Sequence, residues 1–396
     1  MRILHVVPTY VPAFRYGGPI YATHGLCKAL VKRGHDVHVF TTNVDGRKDS
    51  DVPLGKPVDL EGVKVWYFPS KWMRRLYWSP PLKRALREQV GTFDLLHLHS
   101  IFLWPTWAAA RTAALKGVPY IISPRGMLIK ELITRKSRRV KSAWITLIER
   151  KNIEGAAGIH FTSKKEADEA LRFGFKLPRV FIIPNGVDTE TKVKEDPEAT
   201  VSAQVMNSLE NAPFILFLSR INWKKGLDRL IPAMSYITGI RLVIAGNDEE
   251  DYTPKLEEIA KKQGVRDRIT FAGPAYGTAK AALLKHATAL ILPSYSENFG
   301  NVVLEAMAAG CPVIVTPEVG VADIVKEHGA GMVVEGNPEA LGKRVSDLLS
   351  KPELLKEMGL QGKKAVREHF TWEAATKQME ECYCTVLNSG LERTSG

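Results

Sequence analysis

Two glutamates close to a glycine have the residue types and the spacing that recognition of a polyol requires. Glu297 lies in a polar loop after an apolar run, and Glu305 lies about one turn inside the apolar helix predicted after Gly300. A carboxylate accepts two hydrogen bonds from neighbouring hydroxyls, which suits the vicinal diols of a ribose or a hexose. Gly300 lets the backbone approach a ligand, and the amides of the next turn favour an anion. The structural alternative makes Glu305 a solvated helix residue and Glu297 a helix cap.

Two cations follow an earlier apolar run. Arg220 comes directly after the strand predicted at Phe214–Leu218, and Lys225 precedes the next predicted helix. Cations at the carboxyl end of a strand, beside a helix N-terminus, can neutralise charge that gathers on a departing diphosphate. Lys224 is interpreted as a solvated lysine. Arg220 is the stronger candidate, because a residue directly after a buried strand points toward the ligand edge of an α/β sheet.

Apolar runs alternate with helical segments along both halves of the chain, which predicts parallel sheets covered by helices. Pro184-Asn185-Gly186 and the polar residues 188–212 separate the halves. We expect Rossmann-like domains at 1–186 and 187–371, with a helix at 372–396 that packs back toward the first domain. Strands are predicted at residues 3–8, 37–41, 63–68, 95–98, 120–123, 159–162, 214–218, 241–245, 269–271, 289–292 and 312–315.

The composition describes a globular chain of two or three domains. Of its 396 residues, 45% are hydrophobic and 25% are charged, which is average for folded proteins. Four cysteines are too few, and too unevenly spaced, for a disulfide framework or a four-cysteine zinc site. Neither a signal peptide nor a membrane span is predicted. We therefore expect a cytoplasmic protein.

The positive charge is concentrated in the first half. The net charge is +12, and residues 1–190 contain 31 Lys and Arg against 16 Asp and Glu, whereas the remainder contains 24 against 27. Residues 71–78 mix cations with aromatic side chains, and residues 130–150 predict a helix with an apolar stripe and many cations off that stripe. This pattern indicates an anionic partner, either a membrane surface or a pyrophosphate-linked lipid acceptor. No nucleic-acid-binding module is recognisable.

Two short patterns could suggest a metal, and neither is convincing. His97 and His99 face one side of a predicted strand, but no third ligand accompanies them at metal spacing, so a structural or acceptor-side role is preferred. Asp49-Ser50-Asp51 lies in a polar loop away from a strand end. The sequence therefore predicts no metal site.

Taken together, these residues resemble the retaining nucleotide-sugar glycosyltransferases of family 4, which have the GT-B fold. The resemblance depends on Glu297 with seven residues before Glu305, on Arg220 with Lys225-Gly226, on Pro293-Ser294 and on the strand at 312–314. Tyr16-Gly17-Gly18-Pro19 is similar to the family's N-terminal glycine loop, and Phe370-Thr371-Trp372-Glu373 to the start of its closing helix. It spans nearly the whole chain and implies two facing Rossmann-like doubly wound domains with a cleft between them.

The resemblance also implies a role for each matching residue. Glu305 would hold the ribose of the donor, Glu297 its hexose, and Arg220 and Lys225 its diphosphate. Glu297, Arg220 and Lys225 would be the catalytic residues. No cofactor other than the nucleotide-sugar donor itself is implied. The implied donor-binding residues are Gly17, Gly18, Arg220, Lys225, Gly273, Pro274, Glu297, Asn298, Phe299, Gly300, Asn301, Val302 and Glu305.

One position departs from the family pattern. Many members have a histidine before a glycine in a loop of the first domain, where this chain has Ser123-Pro124-Arg125-Gly126. Arginine does not accept a proton at neutral pH. Any role of Arg125 is therefore electrostatic or in acceptor binding, and it is assigned, with His99, to the acceptor side.

The expected function is transfer of a hexose, with retention, from a nucleoside diphosphate sugar to a glycan or lipid-linked acceptor, in cell-surface polysaccharide synthesis. The expected location is the cytoplasm, at the inner face of the membrane. Two alternatives remain open: a nucleotide-sugar epimerase of related architecture, and a non-enzymatic basic protein that binds membranes. Acceptor-dependent release of nucleoside diphosphate would separate the transferase from the epimerase, and salt-sensitive binding without turnover would favour the non-enzymatic protein.

Overall fold

The computed structural model describes residues 1–128, 148–189, 212–248 and 250–394. Contacts within the chain divide it into two compact units. Unit 1 comprises Met1–Gly186 and Trp372–Gly396, and unit 2 comprises Val187–Thr371. Each unit is built around its own mainly parallel sheet, so the units are described separately.

Unit 1 contains an eight-stranded sheet and a short hairpin. The sheet consists of β1 Arg2–Val6, β2 Asp36–Thr42, β5 Pro57–Leu60, β6 Val63–Phe68, β7 Leu95–His99, β8 Tyr120–Ser123, β9 Gly158–Phe161 and β10 Arg179–Ile182, and the hairpin of β3 Val44–Asp45 and β4 Lys48–Asp49. The strand order is β10-β9-β8-β7-β1-β2-β6-β5. Only the edge strand β5 pairs antiparallel in this sheet. The order reverses beside β1, whose neighbours are β2 and β7.

Helices cover both faces of this sheet, which explains the continuous apolar runs of its central strands. They are Gly18–Lys32, Pro80–Gln89, Trp104–Lys116, Arg150–Glu154, Lys164–Leu171 and Trp372–Thr394, with 3-10 turns at Phe14–Tyr16, Arg74–Leu76 and Val90–Thr92. The C-terminal helix buries Met379, Cys382 and Tyr383 against the sheet. Its first residue, Trp372, lies so close to Gly25 and Gly186 that a Cβ on either glycine would overlap the indole.

Unit 2 contains a six-stranded sheet in which every pair is parallel. Its strands are β11 Phe214–Leu218, β12 Arg241–Ala245, β13 Ile269–Gly273, β14 Ala289–Leu292, β15 Val313–Val315 and β16 Gly331–Val333. The order is β13-β12-β11-β14-β15-β16, so it reverses between β11 and β14. Ligands of open α/β sheets bind outside the carboxyl ends of the strands at such a reversal.

The helices of unit 2 pack on this sheet and bury one apolar core. They are Leu227–Ala233, Thr253–Lys262, Gly277–His286, Asn301–Ala309, Ala322–Glu327, Pro338–Leu349 and Pro352–His369, with 3-10 turns at Trp223–Lys225, Met234–Tyr236 and Arg266–Arg268. Proline in the first turn starts several of them, since its fixed φ suits a helix and its missing N–H leaves no intrahelical hydrogen bond unmade there.

The predicted α/β class with parallel sheets is confirmed. The sequence did not reveal the edge strands β5, β10 and β16, because short strands exposed on one side lack a continuous apolar run. The helix predicted at 130–150 lies largely outside the described residues. Among the described residues, no helix combines the length and apolar character that crossing a membrane requires.

Candidate functional site

The carboxyl ends of β11 and β14 bring the predicted cations and Glu297 together in unit 2. Arg220 and Lys225 follow β11, and Glu297 follows β14, which is its neighbour in the sheet. The ammonium of Lys225 forms an ion pair with the Glu297 carboxylate. Residues 72 positions apart in the sequence thus meet where the strand order reverses.

The loop before Lys225 has little freedom. The Asn222 side chain accepts a hydrogen bond from the Lys224 N–H at 3.1 Å. Gly226 has φ 70°, and a Cβ there would overlap the carbonyl oxygen of Pro293. The Tyr295 N–H donates to the Lys224 carbonyl at 2.7 Å. These contacts join the two loops, so the cations have a defined place relative to Glu297.

Lys224 belongs to this cluster, which differs from its interpretation as a solvated lysine. It is half-buried. Desolvation, followed by the charges of Arg220 and Lys225, lowers the pKa of Lys224. Three cations so close together repel one another, and an anion such as a diphosphate relieves that repulsion.

Residues 318–321 hydrogen-bond to the loop 297–300 that contains Glu297. The Glu297 N–H donates to the Glu318 carbonyl at 3.2 Å, and the Gly320 N–H donates to the Glu297 carbonyl at 3.0 Å. A Cβ on Gly320 would overlap the Asn298 carbonyl. Phe299 is buried, and its carbonyl accepts from the Val321 N–H at 3.0 Å. The backbone of 297–300 is therefore set by packing against 318–321.

Glu305 lies one turn inside the helix that this loop begins. Gly300, with φ 97°, precedes the helix, whose first residues are Asn301 and Val302. The Glu305 carboxylate accepts a hydrogen bond from Lys280 at 3.0 Å. Lys280, on the helix Gly277–His286, was missed by sequence reasoning, because nothing in the sequence marks it apart from other lysines. The solvated-residue alternative for Glu305 accounts poorly for this ion pair, since both side chains are about two-thirds buried.

Gly273 is the last residue of β13 and Pro274 follows it, on the side of β12 away from β11. Gly273 has φ 75°, and its carbonyl accepts from the Gly246 N–H at 2.8 Å. Nearby, the Asn247 amide donates to the Tyr276 hydroxyl at 2.6 Å. The turn is thus tied to the end of β12, two strands away from the Arg220 loop.

Gly17 and Gly18 belong to unit 1, where they precede and begin the helix Gly18–Lys32. Gly17 has φ 69° and ψ −139°, a conformation that side chains disfavour. Its N–H donates to the Phe14 carbonyl at 2.9 Å. The required glycine here is explained by the turn between the strand β1 and its helix.

His99 and Arg125 lie at the carboxyl ends of the neighbouring strands β7 and β8. The Arg125 guanidinium donates to His99 Nδ1, with Nη2 at 3.2 Å, and to Asn185 Oδ1 at 2.9 Å. His99 Nε2 in turn lies 2.9 Å from His5 Nδ1. The two predicted acceptor-side residues are therefore in direct contact.

The expectation that no third ligand accompanies His97 and His99 was wrong. His5 lies on β1 opposite His97, and the ligand atoms of these three histidines lie within 4.8 Å of one another. The signal was a histidine on the first strand, but strand pairing cannot be read from spacing. Five of the six ring nitrogens are nevertheless occupied by hydrogen bonds, and the Arg125 cation touches His99, so the arrangement favours a hydrogen-bonded network over a metal site.

A second chain of hydrogen bonds crosses the same sheet. His160 Nε2 donates to the Ile183 carbonyl at 2.9 Å, so its Nδ1 must accept from the Ser123 hydroxyl at 2.7 Å. Ser123 then accepts from His97 Nε2 at 2.6 Å, and His97 Nδ1 accepts from Tyr383 at 2.7 Å. Each proton has one possible place, and the chain connects the C-terminal helix to the three strands β7, β8 and β9.

All four histidines of these chains are neutral. Desolvation, assisted by the charge of Arg125, lowers the pKa of His5 and of His160 to about 3. Desolvation also lowers the pKa of His97 and His99 well below the usual value. Among the described residues of unit 1, Arg125 therefore supplies the only positive charge in these two hydrogen-bond chains.

The basic segment at 71–78 is exposed at its start. Trp72 is 74% exposed and Met73 63%. Arg74 pairs with Asp49, the first acid of the Asp-Ser-Asp pattern, at 2.5 Å. That contact is a structural role for Asp49. The basic residues at 130–141 lie outside the described residues.

The sequence patterns of two families match this chain. The family described as "Glycosyl transferases group 1" matches residues 200–365, and "Glycosyltransferase Family 4" matches residues 16–191. An uncharacterized glycosyltransferase of Methanocaldococcus jannaschii is 28% identical, over 97% of this chain and 98% of that protein.

Solved structures share the fold. Sucrose-phosphate synthase from Thermosynechococcus elongatus has a TM-score of 0.77 and 22% identity, over 98% of this chain and 100% of that one. HepE from Anabaena, in complex with UDP-glucose, has a TM-score of 0.74 and 18% identity, over 97% and 100%. With the order of the two sheets and the two matched families, these likenesses show that the chain belongs to the family 4 type of nucleotide-sugar glycosyltransferases and has the GT-B fold.

Proposed function

We propose that this protein transfers a hexose from a nucleoside diphosphate sugar to an acceptor hydroxyl, with retention of the anomeric configuration. The observation that carries the proposal is the cluster at the β11/β14 reversal, where Lys225 pairs with Glu297 and the charges of Arg220, Lys225 and Glu297 act on Lys224. Charge grows on the diphosphate as the bond to the sugar breaks. Fixed cations stabilise that charge more in the transition state than in the ground state.

The carboxylates supply the complementary part of the donor site. Glu305, half-buried and oriented by Lys280, would accept hydrogen bonds from the ribose hydroxyls. Glu297 would contact the hexose, and the amides at the start of the helix Asn301–Ala309 would face its oxygens. Lys225 compensates the charge of Glu297. A bound diphosphate would compete for Lys225.

The proposed reaction needs no metal, because the three cations take the place that a divalent ion has in other diphosphate sites. The departing phosphate oxygen would accept the proton of the acceptor hydroxyl on the same face of the sugar. The complex of HepE with UDP-glucose supports a uridine donor among those to be tested. We further propose a glycan or lipid-linked acceptor in surface polysaccharide synthesis, reached from an anionic membrane.

A thermal-shift screen against nucleoside diphosphates and their sugars tests the donor. A ligand at 100 times its dissociation constant should stabilise the fold by about 2.7 kcal/mol. With the best donor, nucleoside diphosphate should be released only when an acceptor is present, and NMR should show the donor's anomeric configuration in the product. Absence of stabilisation by any nucleotide would refute the function, and an inverted product would refute retention. Turnover without an acceptor would favour the epimerase.

A further inference from the structure

The guanidinium of Arg125 is a built feature of unit 1 that the donor site does not use. Arg125 follows β8, is half-buried, and has φ 55°. Its guanidinium donates hydrogen bonds to two neutral acceptors, His99 Nδ1 and Asn185 Oδ1. Among the described residues no carboxylate forms an ion pair with it. Burial lowers the pKa of Arg125, and Glu166 opposes that effect from a distance.

The carboxylate of Glu166 is committed elsewhere. One of its oxygens accepts from the Gly126 N–H at 2.6 Å, and the other accepts from the Thr162 N–H at 2.8 Å and the Thr162 hydroxyl at 2.9 Å. Glu166 therefore holds the turn that contains Arg125, but it does not bind the guanidinium.

The tautomers of His99 and His5 follow from the direction of the Arg125 bond. Arginine only donates, so His99 Nδ1 has the lone pair and His99 Nε2 has the proton. His99 then donates to His5 Nδ1, which places the His5 proton on Nε2. That buried N–H has no partner among the described residues. The two rings orient Arg125 without neutralising it.

Two N–H groups of Arg125 have no acceptor among the described residues and can bind a ligand. A guanidinium has five, and the contacts with His99 and Asn185 use three of them. The remaining two belong to the two terminal nitrogens. Such a pair matches two oxygens of a phosphate or a carboxylate.

The surrounding backbone is strained, and buried side chains maintain the strain. Ser100 and Phe102 after β7 have φ 71° and 60°, values that non-glycine residues seldom adopt, as does Arg125 after β8. The buried Glu149 carboxylate accepts from the Phe102 N–H at 2.7 Å. Strain concentrated at the ends of neighbouring strands is typical of ligand sites.

We propose that Arg125 binds an anionic group of the acceptor, a phosphate or a carboxylate, and that His99 and His5 are positioning residues for it. This inference rests on the proposed function, because it names the chemical class of the substrate that unit 1 receives. The charge belongs to the acceptor, since unit 2 has its own cations for the donor diphosphate.

Anion binding to the full chain tests the proposal. The nucleoside diphosphate that stabilises the protein most is added at saturation, so that it occupies the cations of unit 2. Inorganic phosphate and acetate are then titrated, with chloride at equal ionic strength as the reference, and the melting temperature is followed. Wild type should be stabilised by phosphate or by acetate, and the stronger one identifies the group.

Variants of Arg125 give the decisive comparison. Arg125→Gln should lower the affinity for the anion about 10- to 100-fold, the effect of losing a charge-assisted hydrogen-bonding group. Arg125→Lys should bind with intermediate strength, because it keeps the charge and loses the fork. Arg111→Gln removes an equal charge from an exposed helix position and should change nothing. Equal stabilisation of wild type and Arg125→Gln, or of neither, overturns the proposal.

The nucleotide measurement separates the two levels of inference. Loss of nucleoside diphosphate affinity in Arg125→Gln would mean that Arg125 serves the donor, and this also overturns the proposal. If nucleotide binds but wild type and Arg125→Gln bind phosphate and acetate equally, the transferase function stands and only the anionic acceptor is refuted.

The positioning role has its own readout. His99→Phe removes the hydrogen-bond acceptor of Arg125. It should lower the affinity for phosphate or acetate as much as Arg125→Lys does, and nucleotide affinity should not change. His99→Asn keeps an oxygen near the Nδ1 position and should restore most of the binding. Equal loss in both variants, or loss in neither, would show that His99 does not position Arg125.

Discussion

At the scale of single residues, the two kinds of charge in unit 2 are expected to act at different stages of the reaction. In the proposed reaction the cations would face the diphosphate, whose charge increases as the sugar bond breaks, so they should affect the rate. A carboxylate that only holds hydroxyls affects binding of substrate and transition state equally. Substitutions that preserve side-chain size can separate these effects, because the loops around Lys225 and Glu297 are held by backbone contacts.

Removing a cation should slow turnover. Arg220→Gln and Lys225→Gln should each reduce kcat by about 100- to 1,000-fold, the cost of one lost electrostatic donor, and should also raise the donor KM. Arg241, exposed at the amino end of β12 in the same sheet, provides the control Arg241→Gln, which should be silent. Steady-state kinetics with the identified donor measure both. Unchanged kcat in Arg220→Gln would remove it from the catalytic residues.

The two glutamates should differ. Glu305→Gln should mainly raise the donor KM, because ribose hydroxyls are bound alike in the ground and transition states. Glu297→Gln should mainly lower kcat, since the sugar ring that Glu297 is proposed to contact gains positive charge as the bond breaks. Glu327→Gln, on an exposed helix position, is the matched control. Identical kinetic profiles for the two variants would contradict this division.

At the scale of elements, the carboxyl ends of the strands are defined by glycines and by buried polar networks. Gly226 and Gly320 permit close approach between loops that leave different strands. In unit 1 the histidine chains connect β1, β7, β8 and β9 with the C-terminal helix. These glycines and hydrogen-bond networks set the geometry of the loops at the strand ends.

Gly226→Ala should destabilise the protein and lower its affinity for the donor. A left-handed alanine costs about 1–2 kcal/mol, and overlap with the Pro293 carbonyl adds about 1–3 kcal/mol. Gly264→Ala is the matched control, because Gly264 has φ 66° with no atom within 4 Å of its Cβ position. Urea unfolding measures the difference. Equal losses in the two variants would show that the contact with Pro293 does not matter.

The neutral histidines should make stability depend on pH. Their pKa is about 3 for His5 and His160 in the folded protein and near 6.5 unfolded. Above pH 6.5 both states are neutral. As the pH falls below 6.5 only the unfolded state gains protons. The free energy of unfolding therefore decreases, by about 2 kcal/mol per histidine at pH 5.

Urea unfolding at pH 7 and pH 5 measures this effect. The carboxylates with lowered pKa, Asp36, Asp248 and Glu380, titrate below this window. His160→Gln should be less stable at pH 7 but should lose less on acidification. A variant with the same pH dependence as wild type would mean that His160 is not neutral in the folded state.

At the scale of the whole molecule, charge is distributed unevenly between the halves of the chain. The excess of cations in residues 1–190 contrasts with the slight acidic excess of the remainder. Lys71, Trp72, Met73 and Arg75 are exposed together, which combines cations with apolar side chains on one surface segment. Such a combination suits an anionic membrane surface.

Vesicle binding should therefore depend on anionic lipid and on this segment. Each cation near the surface should contribute about 1 kcal/mol, so the double variant Lys71→Gln, Arg75→Gln should sediment less with anionic vesicles at low salt. Lys343→Gln and Arg344→Gln, in the second half of the chain, provide a control with equal charge change. Equal sedimentation with neutral and anionic vesicles would refute the membrane partner.

By itself the sequence determined the α/β class, most of the central strands and the loop positions of the candidate donor residues. Strands buried on both faces need continuous apolar runs, so Phe214–Leu218 and Ala289–Leu292 were visible. The glycine and proline signals around Gly300 and Gly226 placed the charged residues at strand ends. These features are local, because they depend only on residues that are neighbours in the sequence.

Only the tertiary structure decided which of these residues meet. Pairing of β11 with β14 joins Lys225 to Glu297, and packing of two helices joins Lys280 to Glu305. Pairing of β1 with β7 brings His5 to His99 and so orients Arg125. Strand order in a parallel sheet depends on crossover connections and on the burial of whole faces, and this information has no signature at a single position.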